Sequence, residues 1–211
     1  PGVSLDAVKR AVLGWDQLSP AVAIGAFPDG VGYLQVSSFS ADEEGTREAL
    51  HLAMAALLGT PALVIDVRHN GGGDEALAKE LAAYFQTETV TYARHRSHDR
   101  DGYTSEQPRD LRARDDVRYE GPVAVLQSGA TLSSAEAFLL MMRQANRARS
   151  FGARSFGSSG NPQPVALPNG VQVWLPTWEA MDAGGVVFEG VGLAPDVPVP
   201  AGQDPLQAAL T

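Results

Sequence analysis

The apolar run at residues 61–67 constrains the fold more than any other segment. Its sequence, Pro-Ala-Leu-Val-Ile-Asp-Val, is typical of a strand buried on both faces, and it leads into the glycines at 71–73. Residues 74–85 are then predicted to form a helix with an acidic first turn. A buried strand, a glycine turn and a helix indicate an α/β protein with a parallel sheet.

The alternation of strands and helices continues along the chain. Hydrophobic periodicity and turn residues predict helices at 4–13, 42–58, 133–146 and 205–210, and strands at 31–36, 88–93 and 122–126. Residues 165–167 and 171–175 flank a Pro-Asn-Gly turn and are predicted to form a hairpin. We therefore expect an α/β fold with a largely parallel sheet and a hairpin-rich C-terminal part. A helical N-terminal segment at 1–20 is expected to precede one core domain at 21–211.

Composition narrows the class of protein. The net charge of -9 disfavours a nucleic-acid partner, and the absence of cysteine excludes disulfides, thiolate metal sites and cysteine nucleophiles. Residues 94–118 interleave arginines with aspartates, so we expect a solvated loop, long enough to act as a lid. No apolar run approaches the ~20 residues that cross a bilayer. Because residue 1 is proline, a signal segment could have been removed upstream.

Two segments carry candidate chemistry. The glycine turn at 71–73 precedes a helix, whose free backbone N–H groups can hold an oxyanion or a phosphate. Both common nucleotide-binding glycine fingerprints are missing, so nucleotide binding is not supported. A turn of small residues also places Ser133 or Ser134 at a helix start. Ser133 and Glu136 fit a capping box, whereas a nucleophilic serine there would lie beside oxyanion donors, and the residues alone leave both roles open.

Five motifs together resemble, in order, those of the tail-specific (C-terminal processing) serine protease family. They are residues 31–39 (Val-Gly-Tyr-Leu-Gln-Val-Ser-Ser-Phe), 63–73 (Leu-Val-Ile-Asp-Val-Arg-His-Asn-Gly-Gly-Gly), 133–136 (Ser-Ser-Ala-Glu), 156–157 (Phe-Gly) and 189–196 (Glu-Gly-Val-Gly-Leu-Ala-Pro-Asp). The resemblance implies a Clp-protease/crotonase-like fold of ββα turns. It also implies hydrolysis of extended polypeptides through an acyl-enzyme, without metal or cofactor. A periplasmic, cell-envelope or extracellular location is favoured, and an oligomer is possible.

The same resemblance assigns roles to individual residues. Ser133 matches the position of the nucleophile. The backbone N–H of Ser134, with that of Gly72 or Gly73, matches the oxyanion hole. This assignment agrees with the anion-binding geometry expected at the two helix starts.

The chain departs from the family pattern at the general base. The usual catalytic lysine falls on Ser158, and the only lysines, Lys9 and Lys79, lie elsewhere. A serine hydroxyl needs a proton acceptor, so another base is required. Glu189 matches the glutamate of the tricorn-protease branch, in which the histidine lies upstream of the region covered here. The resemblance is therefore closer to that branch.

Within the chain, His69 is the best candidate base by its proximity to the glycine turn. His51 flanks the apolar face of its predicted helix, and His95 and His98 lie in the charged segment. Two other functions remain open: a non-catalytic binding module, as in the interphotoreceptor retinoid-binding protein, and a crotonase-like acyl-CoA enzyme. The first is favoured by the missing lysine, and the second predicts coenzyme A binding at the glycine turn.

Overall fold

A computed structural model describes residues 5–40 and 45–211. The first half of the chain contains helix α1, strands β1, β2 and β3, helix α2, strand β4, helix α3 and a short 3-10 helix. Their bounds, in that order, are Leu5–Ala11, Leu13–Gln17, Val22–Ala26, Gly32–Val36, Thr46–Leu57, Leu63–Asp66, Glu75–Ala82 and Ala83–Phe85.

The second half contains strands β5 to β9, helix α4, strands β10 to β14 and helix α5. Strands β5 to β9 cover Val90–Arg96, His98–Asp99, Gly102–Tyr103, Gln107–Leu111 and Val123–Gln127. Helix α4 covers Ser134–Arg143 and is followed by β10 at Ala148–Gly152. The last elements are β11 at Gln163–Ala166, β12 at Gln172–Leu175, β13 at Glu179–Asp182, β14 at Val197–Pro198 and α5 at Pro205–Ala209.

A seven-stranded sheet in the order β1-β2-β3-β4-β9-β10-β14 organises the molecule. Strands β3, β4, β9, β10 and β14 run parallel to one another, while β1 and β2 add an antiparallel edge beside β3. The predicted mixed α/β fold with a mostly parallel central sheet is therefore confirmed, and so is the hairpin of β11 and β12.

Both faces of the central sheet are covered. On β4, Leu63 and Ile65 pack into the larger core with α2, α3 and α4, while Val64 belongs to a smaller core with residues of α1 and α5. This explains the unbroken apolar run at 61–67, because alternate side chains enter different cores. Within the described residues, no helix has the length and apolar character needed to cross a membrane.

Two predictions about local structure were wrong. Helix α1 ends at Ala11, and Leu13 instead begins β1, which pairs with β2. Ser4 and residues 42–44, which the sequence placed in helices, lie outside the described residues. Residues 94–118 are not simply a solvated loop, since β5 extends to Arg96 and pairs with β8 and β13. Several charged side chains in this segment form ion pairs with one another or with helix α3. Because these charges are paired, the strands can pack against the rest of the protein.

A buried polar network joins the central sheet to α5. The Tyr33 hydroxyl donates to Asp66 Oδ2 (2.7 Å), and Arg68 Nε donates to Asp66 Oδ1 (2.9 Å). Arg68 also lies 3.4 Å from Asp204, which caps α5 by accepting from the Leu206 N–H. Burial, together with the Asp66 charge, raises the pKa of Tyr33 well above its ordinary value. The network keeps the ion pair satisfied inside the protein.

Replacement of Asp66 tests this network. In Asp66→Ala, the buried Arg68 guanidinium loses its main partner, so the free energy of unfolding should fall by about 3–5 kcal/mol. Urea denaturation followed by circular dichroism measures this change. The control Tyr33→Phe removes only a hydroxyl and should cost about 1 kcal/mol. Equal losses in the two variants would contradict the assigned role of Asp66.

Candidate active site

Ser133 occupies an unusual backbone conformation immediately before α4. Its φ of 58° and ψ of -129° lie outside the regions that side-chain-bearing residues normally adopt. Such strain costs about 1–3 kcal/mol and persists only where the surroundings enforce it. Here the Ser133 N–H donates to the Ser158 carbonyl oxygen (2.8 Å). The turn is therefore held through its main chain.

The carboxylate of Glu136 fixes the loop that faces Ser133. Glu136 is fully buried (0 % exposed) and accepts from the Ser155 hydroxyl (2.6 Å), the Gly157 N–H (2.7 Å) and the Ser158 N–H (2.9 Å). It also accepts from the Ser133 N–H at 3.2 Å. One side chain thus ties the start of α4 to residues 155–158.

The predicted capping box is present, but its two halves differ in quality. The Glu136 carboxylate makes the contact with the Ser133 N–H described above. The Glu136 N–H, however, donates to the Ser133 carbonyl oxygen (2.8 Å), and the Ser133 hydroxyl makes no well-formed cap hydrogen bond. The hydroxyl is therefore not committed to capping.

The glycine turn lies directly against Ser133. A Cβ atom on Gly72 would approach the Ser133 Cβ to 2.6 Å and its Oγ to 3.0 Å, so only glycine fits without displacement. Gly73 has a φ of 134°, and a Cβ there would lie 2.3 Å from the Phe39 carbonyl carbon. Close approach and positive φ together require glycine at both positions.

The N–H groups of this turn differ in their availability. The Gly72 N–H already donates to Oδ1 of the buried Asn70 (2.8 Å). The Ser134 hydroxyl donates to the Gly73 carbonyl oxygen (2.6 Å), which joins the turn to α4. Across the described ranges, the N–H groups of Gly73 and Ser134 have no hydrogen-bond acceptor. These two donors are free to bind an anion.

Ser133 opens onto a cavity of about 310 Å³ between α4, the glycine turn and the β5–β8–β13 sheet. Its apolar wall comes from α4, β13 and the segment after it: Ala137, Leu140, Ala180 and Phe188. Its polar wall includes side chains from α3, β5 and β8: Glu75, Arg94, His95 and Arg109. The cavity can therefore receive an apolar side chain beside polar groups.

His95 brings a titratable nitrogen to the cavity wall. Its ring packs against Trp178 with 5.0 Å between centroids. Its Nδ1 is buried and has no hydrogen-bond partner among residues 5–40 and 45–211. Burial and the Arg109 charge lower the pKa of His95, partly opposed by Glu75. The imidazole is therefore neutral at neutral pH and has a free nitrogen.

In the sequence analysis His95 was placed in the charged segment, and His69 was preferred to it as the candidate base. The strand predicted at 88–93 was the available signal, and in the structure it continues through His95, because β5 extends to Arg96. On the polar wall of the same cavity, Arg109 Nη2 donates to Glu75 Oε2 (2.8 Å), and the Tyr92 hydroxyl donates to the same carboxylate. Burial and the Glu75 charge raise the pKa of Tyr92. This cluster holds β5 and β8 against α3.

Glu189 reaches Ser133 through an intervening residue. Its Oε2 accepts from the Ser159 N–H (2.9 Å), and the Ser159 hydroxyl donates to the Ser133 carbonyl oxygen (3.2 Å). Ser158 lies beside Ser133, because its carbonyl oxygen accepts the main-chain hydrogen bond from the Ser133 N–H described above. His69 is exposed and is not among the residues that line the cavity.

The fold and the cavity beside Ser133 define a class of protein: a mixed α/β protein with a strained serine at a helix start, packed against a glycine turn. The chain belongs to peptidase family S41, whose family model matches residues 30–199. This match confirms the family resemblance seen in the sequence and supports a peptidase function.

Solved structures share the fold. A protein of Parabacteroides merdae, assigned as a peptidase, superposes with a TM-score of 0.84 at 24% identity over 97% of this chain and 67% of its own. The photosystem II D1 C-terminal processing protease gives 0.64 at 25% identity over 92% and 48%. The tricorn protease gives 0.55 at 17% identity over 86% and 17%. The chain thus spans about half of the D1 processing protease and a smaller part of tricorn protease.

Replacement of the buried carboxylate tests how the site is held. In Glu136→Gln, an amide donor faces the N–H donors of residues 157 and 158, so the free energy of unfolding should fall by roughly 2–4 kcal/mol. Chemical denaturation measures this loss. The matched control Glu120→Gln alters an exposed surface pair with Arg118 and should stay within about 0.5 kcal/mol of the parent. An unchanged Glu136→Gln would refute the central role of this side chain.

Proposed function

We propose that this chain is the core of a serine endopeptidase that hydrolyses extended polypeptides through an acyl-enzyme on Ser133. The observation that carries the proposal is the strained Ser133, whose hydroxyl makes no well-formed capping bond and which lines a cavity beside two unpaired N–H groups. Membership of a peptidase family supports the reaction class. We propose residues 21–211 as the catalytic unit and residues 1–20 as an N-terminal segment.

The proposed first step is attack by Ser133 Oγ on the carbonyl carbon of the substrate. A new C–O bond forms, the serine proton passes to a base, and the carbonyl oxygen becomes an oxyanion. The N–H groups of Ser134 and Gly73 are the proposed oxyanion donors. Gly73 is favoured over Gly72, because the Gly72 N–H is already bound to Asn70.

In the steps that follow, the peptide C–N bond breaks and the base returns its proton to the leaving amine. Water then attacks the acyl-enzyme, and the same base removes a proton from that water. This cycle releases a carboxylate and regenerates the Ser133 hydroxyl.

His95 is the base that we propose within this chain. It lines the same cavity as Ser133, is held by Trp178, and has a buried nitrogen without a partner. Its lowered pKa leaves it able to accept a proton at neutral pH. Ser158 has no basic group, and His69 does not line the cavity. We propose Glu189 as a positioning residue, because it holds the Ser159 N–H rather than a base.

A serine-directed fluorophosphonate probe tests the nucleophile. We expect labelling of the parent chain, loss of labelling in Ser133→Ala, and a loss of unfolded-casein cleavage of at least 10³-fold, as for removal of a catalytic serine. The control Ser105→Ala changes an exposed serine outside the cavity and should keep both activities. Labelling that survives in Ser133→Ala would contradict the assignment. A parent chain that is neither labelled nor active would favour a binding module.

The pH dependence of kcat/KM on a fluorogenic peptide tests the base. A neutral His95 must accept the proton, so activity should be full at pH 7 and fall as the pH drops through the lowered pKa, below about 6.5. His95→Gln should remove this acidic limb and lower kcat by roughly 10²–10⁴-fold. The control His98→Gln alters an exposed histidine on β6 and should keep the profile. An acidic limb that persists in His95→Gln would assign the base elsewhere.

A further inference from the structure

The ribbon formed by β11 and β12 has an apolar face that belongs to neither hydrophobic core of the described residues. Its strands pair Val165 with Val173 and Gln163 with Leu175, and the Leu167 N–H donates to the Val171 carbonyl oxygen (2.8 Å). Paired residues and alternate residues share a face of a ribbon. One face therefore carries five aliphatic side chains: Val165, Leu167, Val171, Val173 and Leu175.

This aliphatic face is open to solvent. Val165, Leu167, Val171 and Leu175 are 42, 39, 51 and 49 % exposed, and the two strands form a sheet of their own. An isolated two-stranded ribbon is only marginally stable in water. A contiguous apolar face of this kind is typical of an interaction surface.

The ribbon also differs from the rest of the chain in charge. Residues 161–177 (Asn-Pro-Gln-Pro-Val-Ala-Leu-Pro-Asn-Gly-Val-Gln-Val-Trp-Leu-Pro-Thr) include no acidic or basic side chain, although the whole chain has a net charge of -9. Two copies of an acidic chain repel each other wherever their carboxylates meet. The ribbon is a surface on which two copies can meet without that cost.

Pro164 hinders strand addition at the β11 edge of the ribbon. In this register, the main-chain groups of the Pro164–Trp174 and Ala166–Gln172 pairs point outward, because the alternate pairs are bonded to each other. Pro164 has no N–H, so the β11 edge lacks a donor at this position. An extended partner strand is therefore disfavoured along β11.

We propose that two copies of this chain associate face to face through the aliphatic sides of their β11–β12 ribbons. A two-fold axis presents the same surface on both partners, so an apolar face without charges is complementary to itself. Packing of one face on the other removes the exposed side chains of both copies from water. This inference concerns assembly and does not depend on the proposed peptidase mechanism.

The ribbon begins and ends at the candidate active site. The Thr177 N–H donates to the Gly160 carbonyl oxygen (2.8 Å), and Asn161 and Pro162, at the start of the ribbon, line the cavity of Ser133. At its end, the Trp178 indole N–H donates to the Ser159 carbonyl oxygen (2.7 Å). Association of two ribbons would therefore order one wall of each cavity.

Analytical ultracentrifugation of the 211-residue chain tests the proposal. We expect a concentration-dependent dimer, and we expect Val165→Glu combined with Leu175→Glu to weaken dimerisation at least 100-fold. Since both residues are exposed, the far-ultraviolet circular dichroism should not change. The matched control Trp174→Glu places the same charge on the opposite face, where Trp174 is 64 % exposed, and should keep the dimer. A chain that stays monomeric, or variants of the two faces that are equally impaired, would overturn the proposal.

Disulfide cross-linking gives a second measurement, because the chain contains no cysteine. Val173→Cys lies at the centre of the aliphatic face, and its oxidation should yield a covalent dimer. Gln172→Cys lies on the opposite face and should stay monomeric under the same oxidation. Equal cross-linking of both variants would contradict face-to-face association.

Discussion

The buried carboxylate of Glu136 is the interaction on which the cleft depends. It lies in the first turn of α4 and binds donors from both the Ser133 turn and the 155–158 loop. A carboxylate without exposure is tolerated only when its oxygens are fully hydrogen-bonded. Because all these donors are fixed in place, the hydrogen bonds that satisfy this one carboxylate also hold together two segments that are distant in sequence.

That arrangement explains how a strained serine can persist. The main chain of Ser133 is bonded to Glu136 and Ser158, and the glycine turn occupies the space on its other side. Neither loop could shift alone without leaving buried donors unpaired. The parallel sheet places these loops together, since β4 and β9 are neighbours whose carboxyl ends precede the glycine turn and Ser133. The strained conformation of Ser133 therefore depends on the packing of the sheet.

The sequence was informative where one local pattern determined the structure. The apolar run before the glycines predicted β4, and Pro-Asn-Gly predicted the β11–β12 hairpin, because buried strands and tight turns leave strong local signals. It failed for β1 and β8, whose side chains are partly exposed and whose strands exist through partners far along the chain. Pairing of β5 with β8 and β13 is also what brings His95 to the cavity, and no local pattern encodes such a contact.

The candidate site likewise contains features that could be predicted from the sequence and features that could not. Ser133, Ser134 and the glycine turn could be identified because they lie in short motifs next to predicted elements. The bond from Gly72 to Asn70 could not be predicted, since it depends on how the turn folds back on itself. The same is true of the path from Glu189 through Ser159, which depends on a contact between two loops.

The way Ser133 is held has a consequence for how this fold can diverge. Its conformation is enforced by bonds to its own peptide N–H and carbonyl, not by its hydroxyl. The shape of the cleft is therefore independent of the group that would carry out chemistry in it. A duplicated copy could lose that hydroxyl in one step and keep the formed cavity, so this fold can change from a catalytic to a binding role without refolding.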